Sequence, residues 1–263
     1  MISHPPFLRS IAIQKRVVGA LLMREVITRY GRHNIGFMWL FVEPMLFTLG
    51  ITMLWSYTKA VHGSELPVVP FAVTGYSSVL LWRNAAGRCA NAIEPNLSLL
   101  YHRNVRVIDL FVSRLLLEIA GGTISLIVIS VIFISIGWMA VPKDILMMVT
   151  AWLLLAWFAI GLGVTIGALS EMSEMFERIW HTVTYLMFPL SGAVFMTDWL
   201  PQQARELVLW LPMVHGVEML RHGYFGEIVT THEDIGYFIM ANFILLFFGL
   251  ALATMAARQV EPE

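Results

Sequence analysis

Residues 119–141 read IAGGTISLIVISVIFISIGWMAV, a stretch with no Asp, Glu, Lys or Arg. A helix needs about 20 predominantly apolar residues to cross a hydrocarbon core about 30 Å thick, so this stretch is long enough to span a membrane. Strands of an outer-membrane barrel alternate apolar and polar residues, whereas Ile124–Ile136 is apolar on both faces. Backbone groups in lipid must pair within their own segment, which predicts a helix. Working outward, Ile145–Ser170, Ile179–Thr197 and Ile235–Ala257 are also free of charge. Ile35–Thr58 is apolar except for Glu43, and the shorter Leu66–Trp82 extends through Asn84–Ala92. The expectation is an all-α, polytopic membrane protein with six transmembrane helices. Residues 1–263 form a single domain, with the bundle at 35–257.

Composition agrees. Hydrophobic residues make up 58% of the chain and charged residues 13%, with a mean hydropathy of +0.73. Soluble domains carry about 25% charged residues, so a wet surface could not be covered here. The formal net charge of -1 conceals an asymmetry. Six spans place Arg9, Lys15, Arg16, Arg24, Arg29, Arg32, Arg83, Arg88, Arg103, Arg106, Arg178 and Arg258 on one side. The other side receives only Lys59, Lys143, Arg205 and Arg221, and Arg114 falls inside or beside the third span. That bias predicts both termini in the cytoplasm. The short apolar run Val17–Met23 is flanked by charges and followed by no small-residue cleavage site, so no cleaved signal peptide is expected. The single cysteine, Cys89, excludes an internal disulfide and a cysteine-based metal site, and is expected to pack near the second span.

Three segments outside the spans carry information. In residues 5–33, Ile11, Val18, Leu22, Val26 and Tyr30 fall on one helical stripe, interrupted by Lys15 and Arg29. This predicts an interfacial helix with basic residues near lipid phosphates, or a basic anchor that only sets topology. In Asn91–Arg106, Pro95 breaks or restarts a helix. Leu97, Leu100 and Tyr101 then share a face at i, i+3, i+4 spacing, which fits docking into another protein or lying flat on the bilayer. In Asp198–Asp234, the apolar stretch Leu207–Val217 is too short to span and predicts re-entrant or interfacial helices. Its aromatic residues also fit an interfacial belt.

Several chemistries are missing. Each of the three lysines follows Gln14, Thr58 or Pro142, so no Gly-rich phosphate-binding loop exists. An ATP-driven mechanism would need another chain. Neither G-x-S-x-G nor H-E-x-x-H occurs. His215, Glu218 and His222 could share a helical face and hold a metal, but Gly216 and Gly223 weaken that helix. Polar groups lining a wet external segment are the better expectation. Glu43, inside the first span, must face protein or water or be protonated. Arg114 and Glu118 are i, i+4 neighbours able to neutralise each other. Gly163 and Gly167 form a small-xxx-small pair suited to close helix packing.

At Arg29-Tyr30-Gly31-Arg32 and at Ile35–Pro44 (IGFMWLFVEP) the chain resembles the integral-membrane subunit of ABC-2 polysaccharide exporters. Within that family it is most similar to the capsular-polysaccharide export permease of Gram-negative bacteria. The resemblance continues through Asn96–Arg106 and the external segment opening at Asp198-Trp199-Leu200-Pro201, and covers nearly the whole chain. It implies an inner-membrane homodimer with two copies of a separate cytoplasmic ATPase. No cofactor is expected in this chain, because ATP and Mg bind the partner. A lipid-linked polysaccharide is the implied substrate, and a periplasmic adaptor and an outer-membrane export protein are the implied further partners; no nucleic acid is involved. Phe7–Arg24 matches the amphipathic gate helix. The segment Glu94–Arg103 matches the coupling helix, with Glu94, Asn96, Leu97, Leu100, Tyr101, His102 and Arg103 facing the ATPase. The first and fifth helices line the substrate path, which would expose Trp39, Phe41, Tyr185 and Phe188, with Trp199 at the external end. Arg29, Arg32 and Arg83 could engage an anionic phosphate or acidic sugar on entry, although lipid headgroup contact explains each singly. The acidic Glu171–Glu177 departs from the family pattern. A secondary transporter or channel lacks its usual repeated halves and ionisable relay here, and a membrane-embedded glycan enzyme lacks a catalytic pair.

Overall fold

The computed structural model describes residues 7–30, 34–58, 66–100 and 105–260. Every element in them is helical: α1 (Phe7–Tyr30), α2 (Asn34–Thr58), α3 (Val68–Ala90), α4 (Leu97–Leu100), α5 (Val107–Ser135), α6 (Ile145–Met172), α7 (Glu174–Leu190), α8 (Gln202–Val208), α9 (Pro212–Phe225) and α10 (Ile235–Val260). Short 3-10 turns precede α4 and α8 and follow α9. Three of the described helices, Val107–Ser135, Ile145–Met172 and Ile235–Gln259, are long and apolar enough by composition to cross a membrane.

The least apolar of the expected spans turns out to be central. From Pro70 to Trp82 every residue of α3 is buried, and the helix packs against α6, α2 and α5. Thr74, Ser77 and Ser78 therefore meet protein rather than lipid, so low hydropathy does not disqualify the segment. Thr74 and Ser78 return their hydroxyls to the helix's own carbonyls, Pro70 O at 2.8 Å and Gly75 O at 2.6 Å.

Close packing of α6 depends on its small residues. A β-carbon on Gly163 would lie 2.6 Å from Leu115 Cδ2, and one on Gly167 would lie 2.5 Å from Phe111 Cε1 and 2.9 Å from the Cys89 carbonyl. Both glycines thus face α3 and α5, with buried Cys89 between them. Gly167→Val should destabilise the bundle by about 1–3 kcal/mol, the usual cost of overpacking. A thermal melt in detergent indistinguishable from the parent would refute that contact.

Several boundaries differ from the sequence expectation. The third long helix begins at Val107, well before the charge-free run at Ile119, and contains Asp109, Arg114 and Glu118. The fifth begins at Glu174, where the Ser173 hydroxyl accepts from Phe176 N at 3.3 Å, and stops at Leu190 just after Pro189. Residues 191–196 therefore do not extend it. In α1 Val26 of the expected stripe is buried, but so is Leu21 outside it, while Ile11 is exposed. Gln14 also donates to Asp109 of α5.

The end of the bundle that holds the α5–α6 connection is built around α9. Almost all of its residues are buried, and it packs against α6, α10 and α3. Lys143 N and Asp144 N donate to Tyr224 O (3.2 Å) and Gly223 O (2.8 Å), tying the α5–α6 connection to its end.

Candidate substrate path and coupling segment

A cavity of about 540 Å³ opens between α2, α3 and α7. Glu43, Pro44 and Phe47 of α2 form one wall, and Trp180, His181, Thr184 and Tyr185 of α7 the opposite one. The floor is a stripe of α3 running Tyr76, Leu80, Arg83, Asn84, Gly87, Arg88 and Asn91. These α3 positions recur at three- and four-residue steps, so helical periodicity alone brings two guanidinium groups and two amides onto one face. The Arg83 guanidinium lies over the Tyr185 ring, 4.8 Å from its centroid. Phe188 packs edge-on against Tyr76, with centroids 5.8 Å apart. Aromatic faces, amides and cations in one wet cavity can stack on sugar rings and bind anionic oxygens.

The expected path residues divide. Arg83 and Tyr185 line the cavity, and Phe188 stands behind Tyr76. Trp39 is half exposed on α2 and lies outside the lining. Trp199 lies outside the cavity lining, stacked on Phe71 with ring centroids 5.4 Å apart. Arg32 lies outside the described residues, as do the side chains of Arg29 and Phe41. Glu43 faces the cavity, which satisfies the requirement that it meet water or protein. Sequence reasoning missed Arg88, Asn84, Asn91, Trp180 and His181, although His181 and Tyr185 are i, i+4 neighbours.

Beside this cavity α1 is keyed to the segment between α3 and α5. Arg24 donates to the Asn96 side-chain oxygen, and the Asn96 amide donates to Ala92 O at 2.8 Å. Arg114 Nε lies 3.3 Å from Glu25, while its Nη1 donates to Arg88 O (2.6 Å) and Asn91 O (2.5 Å). Glu118 lies 3.5 Å from Arg88 Nε. Both charges of the expected i, i+4 pair thus have partners on neighbouring helices. Tertiary contacts place these groups, not helix spacing alone.

The coupling segment has a different open face from the expected one. Glu94, Pro95, Leu97 and Ser98 are exposed, and Asn96 is buried. Leu97 is 42% exposed, but Leu100 is only 6% exposed and belongs to the main core. Leu100 therefore does not share an outward face with Leu97: in this four-residue helix Leu100 packs into the core while Leu97 stays open. Tyr101, His102 and Arg103 lie outside the described residues.

The polar residues of α9 are occupied internally. Glu218 accepts from Thr197 N (3.2 Å), Thr197 Oγ1 (2.7 Å) and His232 N (3.3 Å). His215 Nδ1 accepts from Asp234 N at 2.9 Å, and its Nε2 lies 2.8 Å from Leu209 O. His222 pairs with Glu233 at 2.6 Å. The three are structural rather than a wet lining, and no metal-ligating group is found among the described residues. Arg221, completely buried, donates to Gly192 O and Phe195 O at 2.6 Å and to Ala193 O at 2.5 Å. Its guanidinium stands 3.7 Å from the Phe71 ring centroid.

The described residues form a helical bundle with three apolar helices of membrane length and a polar cavity between α2, α3 and α7, an architecture that fits a membrane transport subunit. The chain belongs to the ABC-2 type transporter family, which it matches over residues 16–225. It is 52% identical over 257 residues to the capsule polysaccharide export inner-membrane protein CtrC of Neisseria meningitidis serogroup B, covering 98% of this chain and 97% of that protein. It is 48% identical to the capsule polysaccharide export inner-membrane protein BexB of Haemophilus influenzae, with the same coverage. The polysialic acid transport protein KpsM of Escherichia coli is 26% identical, over 91% of this chain and 93% of that one.

Proposed function

We propose that this chain is the permease subunit of an exporter that carries lipid-anchored capsular polysaccharide from cytoplasm to periplasm, driven by a separate ATPase. The near-full-length likeness to capsule export inner-membrane proteins carries this reading. The α2–α3–α7 cavity supplies its chemistry. In this reading α2, α3, α5, α6, α7 and α10 cross the inner membrane, both termini are cytoplasmic, and α1 is the interfacial gate helix. The short helices α8 and α9 re-enter from the periplasmic side. Two copies of the chain join two ATPases, which bind the ATP and Mg, with a periplasmic adaptor and an outer-membrane export protein beyond them.

A long polymer cannot fit a small occluded site, so it must pass processively along a wall that tolerates each unit. Tyr185 and Trp180 offer stacking faces with little hydrogen-bond selectivity, while Arg83 and Arg88 can hold an anionic group at entry. The test is complementation of a strain lacking this chain. Surface polysaccharide should vanish in that strain, accumulate inside the cell, and return with the intact gene. Arg83→Ala should cut export about tenfold at unchanged permease abundance, the worth of one charge-assisted hydrogen bond of about 1.5 kcal/mol. Unaltered export would reduce Arg83 to a lipid headgroup contact.

A further inference from the structure

Two residues of α5 fix Arg88 in the α2–α3–α7 cavity. Among the described residues its guanidinium answers only Glu118, through Nε at 3.5 Å. Both Nη groups have no partner there, on a side chain that is 45% exposed and lines the cavity. The main chain is held as well, because Arg114 Nη1 donates to Arg88 O at 2.6 Å and to Asn91 O at 2.5 Å. Arg114 and Glu118 stand one turn apart on α5. One face of that helix therefore secures both the backbone and the guanidinium of a single α3 residue. Arg83 is used differently, since its guanidinium lies over the Tyr185 ring.

Glu118 is not among the residues lining that cavity. It lines a recess of about 40 Å³ beside it, together with Glu43, Asn84 and Arg88, and its side chain is only 9% exposed. A carboxylate so enclosed is costly unless a cation pairs with it. Its position beside the cavity rather than in its wall spares an incoming anion direct repulsion. A guanidinium tethered through Nε keeps two amino groups for the paired oxygens of a carboxylate or phosphate. Tethering it beforehand also reduces the entropy lost when the anion binds. Resting on the proposed function, we infer that Glu118 is a positioning residue, which acts through Arg88 and sets it as the anion-reading group of the substrate path. The anion is a carboxylate of the polymer's repeating unit or a phosphate of its lipid anchor. Arg83 then belongs to the stacking surface with Tyr185.

The experiment titrates the full chain, in nanodiscs with the ATPase encoded beside it, with the strain's own purified lipid-linked polysaccharide. An unaltered complex that binds none of it would overturn the proposed function itself. Given binding, Glu118→Gln should weaken it about tenfold, the loss of one charge-assisted contact, while the melting temperature stays near that of the parent. Arg88→Gln should weaken it as much, and the double variant no further, because both changes remove the same contact. Arg88→Lys keeps the charge without the fork and should fall between parent and Arg88→Gln. Should Glu118→Gln fail to accumulate, Glu118→Asp keeps the charge on a shorter arm and carries the same comparison. Methyl-esterifying the polymer separates the sources. The difference between parent and Glu118→Gln then disappears for a repeat-unit carboxylate and persists for an anchor phosphate. Parent-like binding by Glu118→Gln, or a double variant weakened by the product of the single effects, would overturn the inference and leave Glu118 a purely structural partner.

Discussion

Arg221→Met should remove much of the folded permease from the membrane, with a stability loss of at least about 3 kcal/mol. The side chain is completely enclosed and satisfies three backbone carbonyls, Gly192, Ala193 and Phe195. Each buried acceptor left without a donor costs about 1–3 kcal/mol, and Met has none to offer. Those carbonyls belong to the turn after α7, so α9 and α7 would lose their shared anchor, and Trp199 would lose the neighbour of the Phe71 ring on which it stacks. Arg221→Lys keeps the charge but not the planar fork of donors, and should fall between parent and Met. Arg205, which is partly exposed and bonds to Thr197 O at 3.1 Å, supplies the comparison: Arg205→Met should cost much less. Thermal unfolding in detergent measures all three. A melt for Arg221→Met within a degree or two of the parent would show that the carbonyls find other donors.

Arg221 also shows where sequence reading stops. Its place in a stretch too short to span marked the segment as unusual, and hydropathy can go no further, because the guanidinium is stabilised by carbonyls contributed from some thirty positions away. The same limit hid the role of α3. Charge-free length identifies long apolar helices such as α5, α6 and α10, whereas a helix enclosed by other helices can carry Thr74 and Ser78, whose hydroxyls are paired with its own carbonyls. Residues 191–196 carry no charge and read as the continuation of a span, whereas α7 ends there with Pro189 in its last turn and Gly192 at a positive φ of 81°. The cavity was half legible. Arg83 and Tyr185 stood out singly, while Arg88, Asn91 and Trp180 emerge only when α3 and α7 are set facing each other.

The coupling segment provides the sharpest separation of partner contact from core. Leu97→Asp and Leu100→Asp make the same chemical change three positions apart, yet their outcomes should be opposite in kind. Leu97 is exposed, so the variant should insert and melt like the parent. If an ATPase groove buries that side chain, its loss costs about 1.5–3 kcal/mol of association, a drop of roughly ten- to a hundredfold in recovered complex, and export should fall with it. Leu100 lies in the main core beside residues of α3 and α5. A carboxylate there has no partner and costs several kcal/mol, so Leu100→Asp should deplete the permease itself before any docking can be measured. The lipid-surface alternative forecasts something else for the first variant: a segment loosened from the bilayer with the ATPase still bound. Undiminished co-purification of the ATPase with Leu97→Asp, at normal permease abundance, would therefore remove the segment from the ATPase interface and return it to the membrane surface.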